Sequence, residues 1–163
     1  MGGFGSGNRY RFRKKTTVER SLAVEIRDFR SKLGTNSGGT LTWGNKSSVH
    51  YFVTSGDGWA TVTLHYRWDS EDVRIPIALQ TTPMQFGGNR WWFTCPLIVG
   101  GVACNRRCGK LYLPPGSRYF GCRTCHGLTY RSCQESHQLG IFEQIEALER
   151  YANKLKQRRP AKP

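Results

Sequence analysis

No stretch of this sequence approaches the ~18 consecutive apolar residues that read as a membrane-spanning helix. The opening run, Met1-Gly2-Gly3-Phe4-Gly5-Ser6-Gly7, lacks the apolar segment of a secretory signal. Acidic residues are scarce: 11 Asp and Glu stand against 25 Lys and Arg, a formal net charge of +14. Catalytic signatures are missing as well. No His-x-Glu precedes the cysteines, so the arrangement of a zinc deaminase is absent. Neither a Walker loop nor a nucleophile elbow occurs. Asp69-Ser70-Glu71-Asp72 reads as an acid-rich turn rather than a metal cluster. These absences point away from membrane, exported and enzymatic classes. The expectation is a cytoplasmic protein, not an enzyme, that works by binding.

Six cysteines, 19 glycines and 20 aromatics (five Trp, seven Tyr, eight Phe) are present in 163 residues. So many aromatics argue against a wholly disordered chain. In a chain without an export signal the cysteines read as reduced thiols, and metal ligation leads over a disulfide framework. The charge is unevenly spread. Residues 1–15 hold five bases and no acid, residues 16–104 eight bases and seven acids, and residues 105–163 twelve bases and four acids. A nearly neutral centre with two basic flanks suits a polyanion, and nucleic acid is the expected partner. Solubility alone is the plainer reading of the same charge.

Four segments follow from the patterning. Residues 1–15 form a basic, Gly-rich arm in which Arg9, Arg11 and Arg13 alternate with Tyr10 and Phe12 before Lys14 and Lys15. It reads either as a strand with one basic face or as an unstructured arm. Residues 16–90 read as a helix on an antiparallel meander. Thr16 and Glu19 have capping-box spacing, and Leu22, Ile26, Phe29 and Leu33 line one helical face. Three alternating strands follow: Val49–Thr54, then Ala60, Val62, Leu64, Tyr66 and Trp68 on one face, then Val73, Ile75, Ile77 and Leu79. Pro76 predicts an edge or a bulge. His50 and His65 are read as ordinary strand residues without a partner. Trp91-Trp92-Phe93 cannot all face one side of a strand, so one ring is expected to be exposed or to cover a second small core.

Residues 91–133 read as a zinc-ribbon module. Cys122-Arg123-Thr124-Cys125 is a C-x-x-C knuckle, with Cys95, Cys104 and Cys108 upstream. Lys110–Leu113, a Pro-Pro-Gly-Ser turn and Arg118–Phe120 read as strand, turn, strand, and His126–Arg131 as a third strand. So small a module cannot bury enough surface to hold itself together, and a tetrahedral zinc supplies the missing folding free energy. Spacing favours Cys104-x3-Cys108 as the partner knuckle; Cys95 with Cys104 is the alternative, looped around an apolar insert. Cys133 reads as a small buried residue. Arg9, Arg11, Arg13, Lys14 and Lys15 at one end, and Arg106, Arg107, Lys110, Arg118, Arg123 and Arg131 around the ribbon, are expected to contact phosphates. Residues 134–163 read as a basic C-terminal helix and tail, with Ile141, Ile145, Leu148, Ala152 and Leu155 on one seam and Glu146–Arg150 as an i, i+4 pair. The fold expectation is therefore α+β: N-terminal helix, antiparallel β-meander, four-cysteine ribbon and C-terminal helix.

The runs Phe93-Thr94-Cys95-Pro96-Leu97, Cys104-x-Arg106-Arg107, Lys110-Leu111-Tyr112-Leu113-Pro114-Pro115-Gly116 and Arg118-Tyr119-Phe120-x-Cys122-Arg123-x-Cys125 resemble a family of small bacterial zinc-ribbon proteins. Many of its members are encoded in prophages and other mobile elements, and no activity is established for it. Gly3-Phe4-Gly5-Ser6-Gly7 and Phe86-Gly87-Gly88 are similar to it too. The resemblance implies Cys95, Cys104, Cys122 and Cys125 as ligands, because the position of Cys108 is usually aliphatic there. The chain departs from that pattern in having Cys108 as a rival ligand, and Asn105 where glycine is usual. An accessory or inhibitory factor acting on a host or mobile-element protein is the alternative function.

Overall fold

The computed structural model describes residues 14–44, 47–134, 145–146 and 148–150. Arg9, Arg11 and Arg13, the basic tail beyond residue 150 and most of the expected C-terminal helix lie outside the described residues. The chain divides into two units, residues 1–129 and 130–163.

The first unit is mostly antiparallel β-structure. In chain order its elements are β1 (Leu22–Glu25), a single α-helical turn α1 (Ile26–Phe29), β2 (Gly38–Thr42), β3 (Ser48–Gly56), β4 (Trp59–Trp68), β5 (Glu71–Pro83), β6 (Asn89–Thr94), β7 (Ile98–Val99), β8 (Val102–Ala103), β9 (Arg107–Cys108) and β10 (Lys110–Leu113). The main sheet has six strands in the order β2-β3-β4-β5-β6-β9. β1 pairs with β10, and β7 with β8, as two separate ribbons.

The meander follows the alternation of the sequence. Val49, Val53, Ala60, Val62, Leu64, Tyr66, Val73, Ile75, Ile77 and Leu79 are buried on one face, and their strand neighbours point the other way. The Asp57-Gly58 turn, with Gly58 at φ 77°, sets the β3–β4 register. Pro76 sits opposite Thr63 on β4, while β6 covers only Leu79–Pro83 of β5. The proline therefore occupies a stretch of β5 whose second edge β6 does not reach, as a residue without an N–H requires.

The expected helix over residues 16–33 is the main departure. Val18–Arg20 is a 3-10 turn, Leu22–Glu25 is a strand, and only Ile26–Phe29 is α-helical before a second 3-10 turn at Arg30–Lys32. β10 requires a partner, and Leu22–Glu25 supplies it in the register Leu22↔Leu113 to Glu25↔Lys110, with Val24 fully buried. Tertiary pairing overrides a weak local propensity here. The capping box falls at Glu25 and Asp28 instead of Thr16 and Glu19, the Glu25 N–H donating to Asp28 Oδ2 at 3.0 Å. The residues of the predicted stripe still face inward. Phe29 is fully buried, edge-on to Tyr51 at 4.9 Å and to Phe93 at 5.8 Å, and Leu22, Ile26 and Leu33 pack around the core. Burying a side chain such as Phe29 contributes about 1.5–3 kcal/mol, which one helical turn suffices to position.

β1, α1, β10 and Phe120 thus cover one face of the six-stranded sheet, and the core lies between them. In the second unit, Arg131–Cys133 is a 3-10 turn and residues 145–146 and 148–150 are helical. Arg150 pairs with Glu146 at 3.4 Å, the i, i+4 contact that the spacing predicts.

Candidate metal centre

β6 carries the chain straight into Cys95, the first ligand candidate. The Cys95 N–H donates to Arg106 O at 2.9 Å and the Cys104 N–H to Leu97 O at 2.9 Å, which closes Cys95 to Cys104 into a looped knuckle. The apolar insert folds as the β7–β8 hairpin, turning at Gly100 (φ 59°) and Gly101 (φ 81°). Its side chains stay in solvent: Ile98 is 69%, Val99 55% and Val102 71% exposed. Asn105 follows at φ 49°, a left-handed position. Asn is among the few residues with a Cβ that enter this region readily.

The second knuckle comes from the C-x-x-C. The Cys125 N–H points at Cys122 Sγ at 3.4 Å, and the Cys122 N–H points across to Cys95 Sγ at 3.2 Å. Cys95, Cys104, Cys122 and Cys125 bring their sulfurs within 4.8 Å of one another, a set that could hold a metal ion. The Cys95–Cys125 and Cys104–Cys122 pairs are both 3.9 Å apart, far beyond a disulfide bond of about 2.05 Å.

Gly121 lets the knuckles close. A Cβ there would lie 2.1 Å from Leu97 Cδ1 and 3.0 Å from His126 Nε2. His126 Nε2 is buried without a hydrogen-bond partner, and burial holds the imidazole pKa below its usual value. His126 is not among the clustered ligands.

Protons are unevenly held among the thiols. Burial raises Cys95 and Cys125. Burial pushes Cys122 the same way, but N–H groups and thiols aimed at its sulfur outweigh it and bring the pKa down to about 7. Arg106 Nη1 stands 3.9 Å from the same sulfur. Of Cys95, Cys122 and Cys125, only Cys122 is drawn toward the thiolate, and a bound cation would favour the ionised form of its ligands.

Cys108, favoured by spacing, is not brought into the cluster. It lies on β9 opposite Phe93, and its thiol faces Phe93 O at 3.6 Å and Arg106 O at 3.7 Å. Burial first, then the neighbouring sulfurs, push its pKa up to about 12. Cys133, expected to be buried, is exposed on its 3-10 turn.

The segment from residue 91 to 129 is stitched into the rest of the first unit. β6 and β9 belong to the main sheet and β10 pairs with β1. The predicted strand Arg118–Phe120 is reduced to a bridge between Tyr112 and Gly121, because Phe120 turns into the core edge-on to Tyr66, whose hydroxyl donates to Arg118 O at 2.6 Å. The predicted strand His126–Arg131 is likewise a single parallel bridge, Thr17↔Thr129.

The basic residues expected around the ribbon do not act alike. Lys110 Nζ pairs with Glu25 at 2.6 Å and Arg118 Nη2 with Glu71 at 2.6 Å. Arg123 donates to Leu128 O at 3.3 Å. Lys14, Lys15, Arg106, Arg107 and Arg131 are exposed, with Arg131 in the second unit. Sequence reasoning missed the relation of His50 to His65: they are direct partners across β3 and β4. The signal was present, since each lies seven residues from its side of the Asp57-Gly58 turn.

No family model, curated protein or solved structure matches the chain. No described helix is long and apolar enough to cross a membrane.

Proposed function

We propose that the protein is a zinc-ribbon protein that binds nucleic acid. Two sulfur–sulfur distances of 3.9 Å support zinc. With Zn–S bonds of about 2.3 Å, a regular tetrahedron has sulfur–sulfur edges of about 3.8 Å. Four protein thiolates close the coordination sphere, so the ion would be structural and leave no open position for a substrate. Zinc with four thiolates would carry two negative charges, partly offset by Arg106 beside Cys122. Metal analysis of the purified chain is expected to give one zinc per molecule; iron, or no metal, would overturn this assignment.

The observation that carries the nucleic-acid reading is the absence of any Asp or Glu from Val73 to Gln134, a stretch with eight Lys and Arg. Of these, Lys110 and Arg118 pair with acids outside the stretch. The remaining excess favours a polyanion and gives affinity without sequence readout. Binding of a labelled oligonucleotide is expected to weaken steeply as salt rises. A flat salt response, or no binding at low ionic strength, overturns the reading. Cytoplasmic location and a mobile-element origin, the latter resting on the family resemblance, belong to the same proposal.

A second reading has its own support in the exposed β7–β8 hairpin. Ile98, Val99 and Val102 form an aliphatic tip that suits contact with a host or mobile-element protein. Capture of a partner from nuclease-treated lysate, lost on Ile98→Ser with Val102→Ser, would favour this reading over the first.

A further inference from the structure

We infer that the open face of the six-stranded sheet is a platform for single-stranded nucleic acid, an inference that rests on the nucleic-acid reading above. Among the described residues, the core covers only one side of this sheet. The opposite side carries three aromatic rings, Phe52 on β3, Trp59 on β4 and Trp92 on β6. Phe52 is 49% and Trp59 52% exposed. Each lies close against the backbone of a glycine on the adjacent strand. A Cβ on Gly38 would meet Phe52 Cδ2 at 3.1 Å, and a Cβ on Gly56 would meet Trp59 Nε1 at 2.5 Å. Trp92 is half-buried, with the Arg90 guanidinium 4.1 Å from its ring centre and its indole N–H donating to Thr82 Oγ1 at 3.0 Å.

Charge on this face is one-sided. The strand residues that point away from the core include Arg67, Arg74, Arg90 and Arg107 but one acid, Asp72, which Arg67 approaches at 3.8 Å. A cross-strand row runs Thr40, His50, His65, Arg74 over four strands, with Thr40 Oγ1 hydrogen-bonded to His50 Nδ1 at 2.9 Å. At this end, His50, His65, Arg67 and Asp72 line one side of a groove of about 530 Å³ that wraps the end of the sheet toward the core-side Leu22 and Tyr66. The row offers donors to phosphate and ribose oxygens; the rings offer stacking surfaces.

The shape selects a single strand. A major groove admits a helix or a two-stranded ribbon, whereas six strands span roughly 24 Å. Paired bases stack on each other and cannot reach Phe52 or Trp59, whereas unpaired bases can. A protein partner suits the face less well, because threonines separate the rings: Thr61 and Thr63 stand between Trp59 and the His65 row. No contiguous apolar patch results.

The test uses the full metal-loaded chain, a labelled single-stranded poly-dT 20-mer and a hairpin duplex of equal charge. Phe52→Leu with Trp59→Leu keeps apolar bulk and removes both rings. The pair is expected to weaken poly-dT binding about tenfold or more and to leave duplex binding unchanged. Arg74→Glu, at an exposed position, is expected to weaken poly-dT binding without any change in thermal unfolding, which keeps the test valid if the double variant unfolds. If the parent chain binds poly-dT but both variants bind it equally well, this face is the wrong surface while the broader nucleic-acid reading stands. Equal preference of the parent chain for duplex overturns the single-strand assignment. Failure of the parent chain to bind either probe at low salt overturns both.

Discussion

Leu97 and Gly121 touch so closely that a methyl group on Gly121 would lie 2.1 Å from Leu97 Cδ1. The contact joins the first knuckle to the residue before Cys122, whose N–H reaches Cys95 Sγ. Gly121→Ala is therefore expected to force Leu97 or the knuckle aside and to cost about 1–3 kcal/mol. Adding Leu97→Ala should recover part of that loss. A double-mutant cycle read by chemical denaturation measures the coupling, and strict additivity would show that the two residues do not share the strain.

The cysteines divide into two groups with opposite expected behaviour. Replacing Cys95, Cys104, Cys122 or Cys125 by Ser removes one of the four clustered sulfurs, and bound metal should fall well below one ion per chain. Cys108→Ser and Cys133→Ser should keep the metal. Because the metal site joins β6 to the segment after β10, chelation should also lower the unfolding temperature of the parent chain. Metal content and thermal unfolding of the six variants check this together.

Much of this was legible in the residues, and the misses share a cause. The β3–β4–β5 face could be read because an alternation such as Val73, Ile75, Ile77, Leu79 depends on one strand's own pleat. The four sulfurs followed from the family resemblance, whereas spacing alone favoured Cys108, which the β9–β6 pairing turns away toward Phe93. The segment 16–33 failed because strand β1 exists only to pair with β10, nearly ninety residues later. Local periodicity carries no information about such a partner. The aromatic face was hidden for the same reason. Phe52 lay inside the expected strand Val49–Thr54, but only the register shows that it stands opposite Gly38 and that Trp59 stands opposite Gly56.

Asn105 at φ 49° offers a test of the knuckle's backbone. Glycine enters that region at no steric cost, whereas a β-branched residue is strained there. Asn105→Gly should leave stability unchanged or raised, and Asn105→Val should lower it by about 1–2 kcal/mol. Denaturant midpoints with matched slopes check both directions.

Cys108 gives the sign of one alkaline limb. Its folded pKa is raised, to about 12, so the partly buried neutral thiol stabilises the fold below the ordinary thiol value of 9.0. That contribution is lost as the pH rises from about 9 toward 12. Cys108→Val removes the titrating group and keeps an apolar side chain against the core. The variant should therefore lose less stability between pH 8 and pH 11 than the parent chain. Parallel limbs would show that Cys108 does not contribute to the alkaline loss.

The ion pairs sort the basic residues by how much each can give to a polyanion. Lys110 is held by Glu25 and Arg118 by Glu71, so a phosphate must compete with a carboxylate at 2.6 Å for either one. Arg107 and Arg74 are exposed on strands, with no ion pair among the described residues. Each phosphate contact removed lowers the slope of log K against log salt by roughly one unit. Arg107→Ala and Arg74→Ala are thus expected to reduce the slope by about that amount each, and Lys110→Ala and Arg118→Ala by less. Lys110→Ala should instead weaken the β1–β10 pairing, where Glu25 would keep Arg27 at 2.7 Å as its ion-pair partner among the described residues. Oligonucleotide titrations at four salt concentrations, run beside thermal unfolding, separate the two effects. A larger slope change for Lys110 than for Arg74 would return the binding surface to the ribbon.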